Sequence, residues 1–178
     1  MTTRTKARFL LALLCQLAPL LEQIHAYDEA IARLFAQHPD SALFRSLPRA
    51  SKRLAPRLLA GGGDDRERYA SAASVQALAA TSPVAYESGK YTRAHRRQAC
   101  IKSLRNALYQ FAWQSTAAEP WAATYYRRKR REGKSHSMAV RALANCWVRI
   151  IHAMWLTHTL NRSDVFLAAQ QAHASPAA

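Results

Sequence analysis

The stretch that decides the fold is LLALLCQLAPLLEQIHAYDEAIARL, residues 10–34. Apolar residues occupy every a and d position of four consecutive heptads when Leu10 is taken as position a, and charged residues such as Glu22 and Arg33 fall outside this seam. A seam of that period predicts a long amphipathic, coiled-coil-like helix that packs against a partner helix. We assign residues 1–40 to this linker helix. The seam residues are Leu10, Leu13, Leu17, Leu20, Ile24, Tyr27, Ile31 and Leu34.

The N-terminus also imitates a secretory signal, because Arg4, Lys6 and Arg8 precede the apolar run at residues 9–14. The run is too short to span a bilayer, and the heptad pattern continues beyond it. We therefore expect no membrane partner and a cytoplasmic location. A secreted basic protein is kept as a third alternative.

The remainder of the chain predicts a mainly α protein, since no convincing run of alternating strand residues is visible. We expect a compact helical domain over residues 41–160 and a terminal helix and tail over 161–178. Helical patterns occupy residues 51–60 and 71–80, separated by three glycines at 61–63. Two short helices joined by a glycine turn suggest a degenerate helix-hairpin-helix at residues 47–80, which would hold the phosphate of a DNA backbone.

Further helical patterns follow the segment around residue 88. One apolar face runs from Cys100 to Ala112, and a second helix starts at Pro120. Gly133 is expected to end that helix and Ser135 to cap the last one. The core stripe of the last helix consists of Val140, Leu143, Ala144, Trp147, Ile150, Ile151 and Met154.

The charge of the chain is concentrated in one region. Of 178 residues, 26 are Lys or Arg and 11 are Asp or Glu, a net charge of +15. Twelve cations lie between residues 90 and 134, opposed only by Glu119 and Glu132, so 12 − 2 = 10 net charges fall in a quarter of the chain. Such clustering indicates a polyanion partner, because each neutralised phosphate releases condensed counterions.

The segment PVAYESGKYTRAHRRQACIKSLR, residues 83–105, joins a nucleophile to this charge. Ser88 precedes a glycine, which permits a sharp turn and a close approach to another polymer. The cations downstream would position a phosphodiester and neutralise the charge that develops when it is attacked. The candidate nucleophile is Ser88, and the candidate nucleic-acid-binding residues are Lys90, Arg93, His95, Arg96, Arg97, Lys102, Arg105, Arg127, Arg128, Lys129, Arg130, Arg131 and Lys134.

Aromatic residues accompany the basic run. Trp121, Tyr125 and Tyr126 come directly before Arg127. Aromatic rings beside cations suit nucleic acid, with bases or sugars stacked on the rings. The same residues are equally compatible with the apolar end of an amphipathic helix, and both interpretations stay open.

Other chemistries are less well supported. A Ser-His-Asp hydrolase built on Ser88 and His95 lacks the G-x-S-x-G elbow and an aspartate to orient the histidine. A metal site at Asp64, Asp65 and Glu67 is less economical than local pairing of these acids with the arginines between them.

The three cysteines have no paired spacing and indicate free thiols in a reducing compartment. A zinc site can be drawn from Cys100, Cys146, His95 and His152, but no ligand spacing supports it. We expect no metal and no cofactor within the chain.

Sequence blocks along most of the chain resemble one insertion-sequence family of DNA transposases and invertases. The blocks are EQIHAYDEAIARLFAQHPDSALFRSLP (22–48), LAPRLLAGGGDDRERYASA (54–72), SPVAYESGK (82–90), the residues His95, Arg97, Cys100, Leu104 and Arg105, PWAATYYRRKRREGKSH (120–136) and AVRALANCWVRIIHAMW (139–155). The family includes Piv-type invertases and recombinases guided by a bridge RNA, and joins a RuvC-like DEDD domain to a C-terminal serine domain. The chain resembles its linker helix and serine domain.

The resemblance implies a role for Ser88, which occupies the position of the serine that attacks DNA and becomes linked to it through phosphate. It also implies DNA as a partner, a structured guide RNA, and divalent metal (Mg) held by the DEDD acids of the preceding domain, which the resemblance does not cover. Pairing through residues 10–35, either with itself or with a full-length transposase, is expected.

The chain departs from the family at three glycines. The family usually has P-G-x-G where this chain has Pro48-Arg49-Ala50-Ser51, and a glycine where this chain has Ala80. These losses favour a truncated copy that depends on a partner. We therefore predict the serine-bearing half of a transposase acting in DNA transposition or site-specific recombination. The alternative is a non-catalytic nucleic-acid-binding protein that pairs or interferes with an intact transposase.

Overall fold

The computed structural model describes residues 3–88 and 91–164, and it confirms a mainly α fold with a long N-terminal helix. Its elements in chain order are α1 (Thr3–Gln37), α2 (Ser41–Arg45), α3 (Ser51–Gly62), α4 (Ala72–Leu78), β1 (Pro83–Ser88), β2 (Tyr91–Arg96), α5 (Lys102–Ser115), α6 (Pro120–Arg131) and α7 (His136–Thr157). Most of the tail that we predicted at 161–178 lies outside the described residues. The chain divides into two compact units, Met1–His38 and Pro39–Ala178.

The first unit consists of α1, and its heptad seam is exposed. All eight seam residues keep between 46% and 69% of their surface accessible. An isolated helix with an apolar seam is stabilised by burying that seam against another helix, so the coiled-coil partner stays a prediction. By length and composition α1 is also apolar enough to cross a membrane, a criterion that N-terminal signal sequences meet as well.

In the second unit, α7 and α5 form the centre. Helix α7 packs against α4, α5 and α6, and α5 packs also against α3. The core stripe predicted for α7 is confirmed at Val140, Leu143, Ala144, Trp147 and Met154, all of them buried, while Ile150 and Ile151 are half-buried.

Trp147 is the largest fully buried side chain among the described residues. Its ring lies 4.8 Å from that of Phe111 and 4.9 Å from that of Trp121, measured between centroids. Its indole Nε1 donates to Ser115 Oγ at 2.8 Å, and Ser115 donates in turn to the carbonyl of Ala112. The one polar atom of the indole is therefore satisfied without water.

The predicted helix boundaries after α5 are confirmed. Pro120 is at the start of α6, where its missing N–H costs nothing. Gly133 has a φ of +78°, a conformation that glycine adopts without strain. Ser135 Oγ accepts from the backbone N–H of Met138 and caps α7.

The glycines at residues 61–63 do not end the helix at residue 60 as we expected. Helix α3 continues through Gly62, and only Gly63 has positive φ, +80°. A Cβ placed on Gly61 would lie 2.7 Å from Leu104 Cδ1 and 3.3 Å from Leu104 Cα. Gly61 is therefore required by the close approach of α3 to α5.

Helices α3 and α4 have different principal neighbours. Helix α3 packs mainly against α2 and α5, and α4 packs mainly against α7. The helix-hairpin-helix predicted over residues 47–80 stays a prediction.

The three positions where the family resemblance implies glycine retain a glycine conformation. Arg49, Ser51 and Ala80 have φ values of 56°, 52° and 50°, in the left-handed region. A non-glycine residue there costs about 1–2 kcal/mol because its Cβ crowds the following carbonyl. These positions therefore have a backbone conformation that glycine adopts without strain, although none of them is glycine.

Restoring glycine at the exposed positions should stabilise the fold. We expect Arg49→Gly and Ser51→Gly each to raise the free energy of unfolding by about 0.5–1 kcal/mol, the relief of strain less the added chain entropy. Ala80→Gly should be near neutral, because Ala80 is fully buried and its methyl contributes about 0.8 kcal/mol. The control is Ala60→Gly, at an exposed site within α3, which should cost about 1 kcal/mol. The free energies of unfolding are measured by urea denaturation. If Arg49→Gly lowered the stability as much as Ala60→Gly, the backbone at Arg49 would not be strained.

Candidate nucleic-acid interface

The segment around Ser88 forms an antiparallel β-hairpin, which we name the serine hairpin (residues 83–96). Ser88 is the last residue of β1 and is paired with Tyr91, the first residue of β2. Our prediction that helix resumes directly after Ser88 is wrong for residues 91–96. Ser88 thus lies at the end of β1 where the chain connects to β2, and Pro83, Val84 and Ala85, at the other end, are exposed.

The hairpin signal was present in the sequence. Strand-favouring residues, among them Val84, Tyr86, Tyr91 and Thr92, flank the Gly-x pair at 89–90. A pair of that kind between two short strands is typical of two-residue hairpin connections. Strict alternation of apolar and polar residues is missing, and for that reason the strands were overlooked.

Four of the predicted binding residues lie in or beside the hairpin. Lys90 lies outside the described residues. For Arg93 and Arg96 the structure gives backbone pairing alone, opposite Tyr86 and Pro83. His95 is exposed and paired with Val84, four residues from Ser88 along β1. That offset is about 13 Å at 3.3 Å per residue, too far for a serine–histidine hydrogen bond across this hairpin.

A second group of predicted residues lies at the other end of the hairpin. Arg97 follows β2 and is half-buried, with its Nε buried and lacking a hydrogen-bond partner. Lys102 is the exposed first residue of α5, and Arg105 Nη1 donates to Cys100 Sγ at 3.4 Å. From Tyr91 to Arg97 the strand spans six residues, about 20 Å. Because Tyr91 is paired with Ser88, Arg97 is separated from Ser88 by about the length of the hairpin.

The remaining predicted cations lie on α6 and just after it, and α6 has two basic faces. On one face Arg128 and Lys129 lie over the ring of Tyr125, at 5.0 and 5.7 Å from its centroid. Both also pair with Glu132, at 3.8 Å for Arg128 and 2.8 Å for Lys129. The hydrogen bond from Lys129 lowers the pKa of the Glu132 carboxyl, so these cations are opposed by a firmly ionised acid.

The other face of α6 lacks acidic partners. Arg127 Nε donates to the carbonyl of Ala123, Arg130 Nη1 donates to the carbonyl of Lys134, and Arg131 has no ion pair within the described part of the chain. These arginines line an open groove of about 540 Å³, which we name the arginine groove (Thr124, Tyr126, Arg127, Arg130, Arg131). Guanidinium groups free of carboxylates remain available to external anions.

The aromatic residues before the basic run have separate roles. Trp121 is buried against Trp147, so it belongs to the core. Tyr125 is half-buried, and its burial, followed by a hydrogen bond with Cys146, raises the pKa of its phenol. Tyr126 borders the arginine groove. Of the three predicted stacking residues, only Tyr126 lines that groove.

Trp113 and His136 were missed by the sequence analysis. They surround Tyr126 in an aromatic cluster (Trp113, Tyr126, His136) contributed by α5, α6 and α7. Ring centroids are 5.3 Å apart for Trp113–Tyr126 and 4.9 Å for Trp113–His136. Trp113 precedes the basic run by fourteen residues in a helix whose other aromatics face the core, and nothing in its local sequence separates it from them.

The alternative metal sites are not assembled. Within residues 3–88 and 91–164 no group of three or more His, Cys, Asp or Glu side chains could hold a metal ion. These residues therefore do not themselves form a site for the divalent metal, which the resemblance assigns to the DEDD acids of the preceding domain. Arg66 pairs with Asp40 at 2.6 Å, so our interpretation of residues 64–68 as purely local charge pairing is wrong for Arg66.

Comparison with known proteins gives consistent matches. Residues 41–127, which include the serine hairpin and most of α6, match the family described as Transposase IS116/IS110/IS902 family. A protein of Streptomyces coelicolor named "Mini-circle putative transposase for IS117" is 34% identical over 143 residues, 80% of this chain and 34% of that protein.

Two further relatives come from insertion elements. The IS900 uncharacterized 42 kDa protein of Mycobacterium paratuberculosis is 33% identical over 75% of this chain and 34% of its own length. The IS110 uncharacterized 43.6 kDa protein of Streptomyces coelicolor is 30% identical over 80% of this chain and 35% of its own length. The chain spans about a third of the length of these relatives. Together, the domain match and the named relatives show that this chain is similar to proteins of the IS116/IS110/IS902 transposase family.

Proposed function

We propose that this chain supplies the serine nucleophile and the nucleic-acid-binding surfaces of an insertion-sequence transposase that acts on DNA in transposition or site-specific recombination. The observation that carries the proposal is the position of Ser88. It ends β1 of a β-hairpin, within the region that matches the transposase family. A serine at the end of a short hairpin can enter a groove or reach a DNA strand that a serine on a packed helix could not reach.

The proposed step is a transesterification. The Ser88 hydroxyl loses its proton to solvent, and its oxygen bonds to the phosphorus of a DNA phosphodiester. The bond from that phosphorus to one sugar oxygen breaks, and the released oxygen takes up a proton. The product is a phosphodiester between Ser88 and one DNA end, which a second DNA hydroxyl can later displace. The cations at the base of the hairpin hold the flanking backbone.

The metal of the family is proposed to act from another domain, which would supply the DEDD acids. Divalent metal would there stabilise the charge on the attacked phosphate. No step assigned to this chain depends on it.

Three partners are also proposed. Residues 10–35 pair with a second helix of the same kind, in another copy or a full-length transposase, because all eight seam residues are exposed. A structured guide RNA is a further partner, consistent with the net charge of +15. Action on DNA in a bacterium places the protein in the cytoplasm at the nucleoid.

Covalent capture tests the nucleophile. The full chain, alone and mixed with an intact transposase relative, is incubated with a nicked DNA substrate. Cleavage next to the nick releases a short strand, so the covalent protein–DNA adduct cannot reverse, and it is detected on denaturing gels. We expect an adduct that Ser88→Ala abolishes. Ser103→Ala, which removes an exposed hydroxyl from α5, should leave it unchanged.

Two results would count against the proposal. An adduct that persists in Ser88→Ala would assign the nucleophile to another residue. No adduct under either condition, with DNA binding intact, would favour the non-catalytic nucleic-acid-binding protein, whose binding surface on α6 does not require Ser88.

A further inference from the structure

The aromatic cluster presents an exposed indole on an otherwise well-packed domain. Trp113 keeps 47% of its surface accessible, although the core tryptophans Trp121, Trp147 and Trp155 keep 6% or less. Leaving so large an apolar ring in water is unfavourable. A tryptophan exposed in this way marks a contact surface more often than a structural site.

The cluster holds this ring in a fixed orientation. Trp113 meets Tyr126 and His136 edge-to-face, with interplanar angles of 65° and 84°. Tyr126 Oη and His136 Nδ1 are 2.9 Å apart, within hydrogen-bond distance. The three residues come from three different helices, so the platform moves only if α5, α6 and α7 move. Preorganisation of this kind lowers the entropic cost of binding.

Tyr126 joins the cluster to the arginine groove. Its ring packs on Trp113, and the same residue lines the groove together with Arg127, Arg130 and Arg131. An aromatic surface thus continues directly into a surface whose cations have no carboxylate partner among residues 3–88 and 91–164. The volume of the groove, about 540 Å³, lies in the range of sites that bind small organic groups.

We propose that this continuous surface binds an unpaired stretch of nucleic acid, with a base stacked on Trp113 and the flanking phosphates held by Arg127 and Arg131. Stacking on a tryptophan requires a base with a free face, which a paired base inside a duplex does not offer. The arginines alone would bind duplex and single strand alike. The inference rests on the proposed function, since it names the kind of strand that the same domain holds.

The test compares strands and variants by fluorescence anisotropy with the full chain. The probes are labelled oligo-dT, oligo-rU and a duplex of equal length. We expect Trp113→Leu to weaken binding of the single strands about tenfold or more and to leave the duplex within about twofold. Trp113→Phe keeps an aromatic ring and should recover most of the affinity.

A surface control and a folding control accompany these variants. Leu156→Ala removes a comparably exposed apolar side chain, 49% accessible, and should change no affinity. Thermal melting followed by circular dichroism verifies that each variant is folded. Preference of the intact chain for oligo-dT or oligo-rU assigns the strand as DNA or RNA.

Either of two results would overturn the inference: an equal loss for duplex and single strand in Trp113→Leu, or no loss for either single strand. This test and the covalent-capture test of the proposed strand transfer can fail independently. Covalent capture that depends on Ser88 would persist if only the stacking site were wrong, and stacking would persist if Ser88 were not the nucleophile.

Discussion

Replacing Arg127 and Arg131 by glutamine together should weaken DNA binding about fiftyfold at 0.1 M salt. Both residues line the arginine groove and have no acidic partner in the described structure. Each phosphate contact raises the affinity about eightfold when the salt concentration falls tenfold. Two contacts therefore contribute a factor of roughly sixty between 1 M and 0.1 M salt, and this contribution is lost in the double variant. The slope of log K against log salt should flatten by about 1.8 units.

The matched control removes the same charge from the other face of α6. Arg128→Gln with Lys129→Gln also deletes two cations, but these residues lie over Tyr125 and pair with Glu132. We expect this variant to lose less than about fivefold, with a slope change below one unit. Arg130 is kept in both variants because it donates to the carbonyl of Lys134 where α6 ends.

Anisotropy titrations of a labelled duplex at four salt concentrations measure both quantities. If the two double variants lose affinity equally, binding depends on the total charge of α6, and the arginine groove is not a distinct site. If neither variant changes the slope, the phosphate contacts lie elsewhere, with the cations at the base of the serine hairpin as the next candidates.

The helices were predictable from sequence because their signals are local. The heptad seam from Leu10 to Leu34 specifies α1, and the proline at 120 and the Gly133–Ser135 pair specify where α6 begins and α7 follows. Each signal acts through the hydrogen bonding or backbone freedom of a few neighbouring residues. The clustering of cations between residues 90 and 134 was likewise visible in the sequence.

The candidate site was predictable only in part, because its arrangement depends on tertiary packing. The pairing of Arg128 and Lys129 with Tyr125 and Glu132 is an exception, because these residues are three or four positions apart and helical spacing alone would have indicated it. The role of Trp113 depends on contacts with residues 13 and 23 positions later. The left-handed φ values at Arg49 and Ser51 are disfavoured by the propensities of these residues, and only the family resemblance, which implies glycine at both positions, pointed to them.

Asp40→Ala should be among the most destabilising single substitutions of a polar residue, lowering the free energy of unfolding by about 3 kcal/mol. Asp40 is 4% exposed and precedes α2. It accepts from Arg66 Nη2 at 2.6 Å and from the indole Nε1 of Trp155 at 3.1 Å. Arg66 Nε also donates to the Trp155 carbonyl, at 3.1 Å. One carboxylate therefore joins the start of α2, the α3–α4 connection and the end of α7.

The expected loss has two sources. Removing the carboxylate leaves the buried indole N–H of Trp155 without its acceptor and leaves Arg66, whose side chain is 30% exposed, without its close ion pair. Asp40→Asn retains an acceptor for the indole and should cost roughly half as much. The control is Asp164→Ala, which breaks a pair with Arg162 that is about two-thirds exposed on both sides and should change the stability little, because solvent screens such a pair. Equal urea midpoints for Asp40→Ala and Asp164→Ala would show that the three segments are held by apolar packing alone. If the loss of stability in the double variant Asp40→Ala/Arg66→Gln equals the sum of the losses in the two single variants, Asp40 and Arg66 are not coupled.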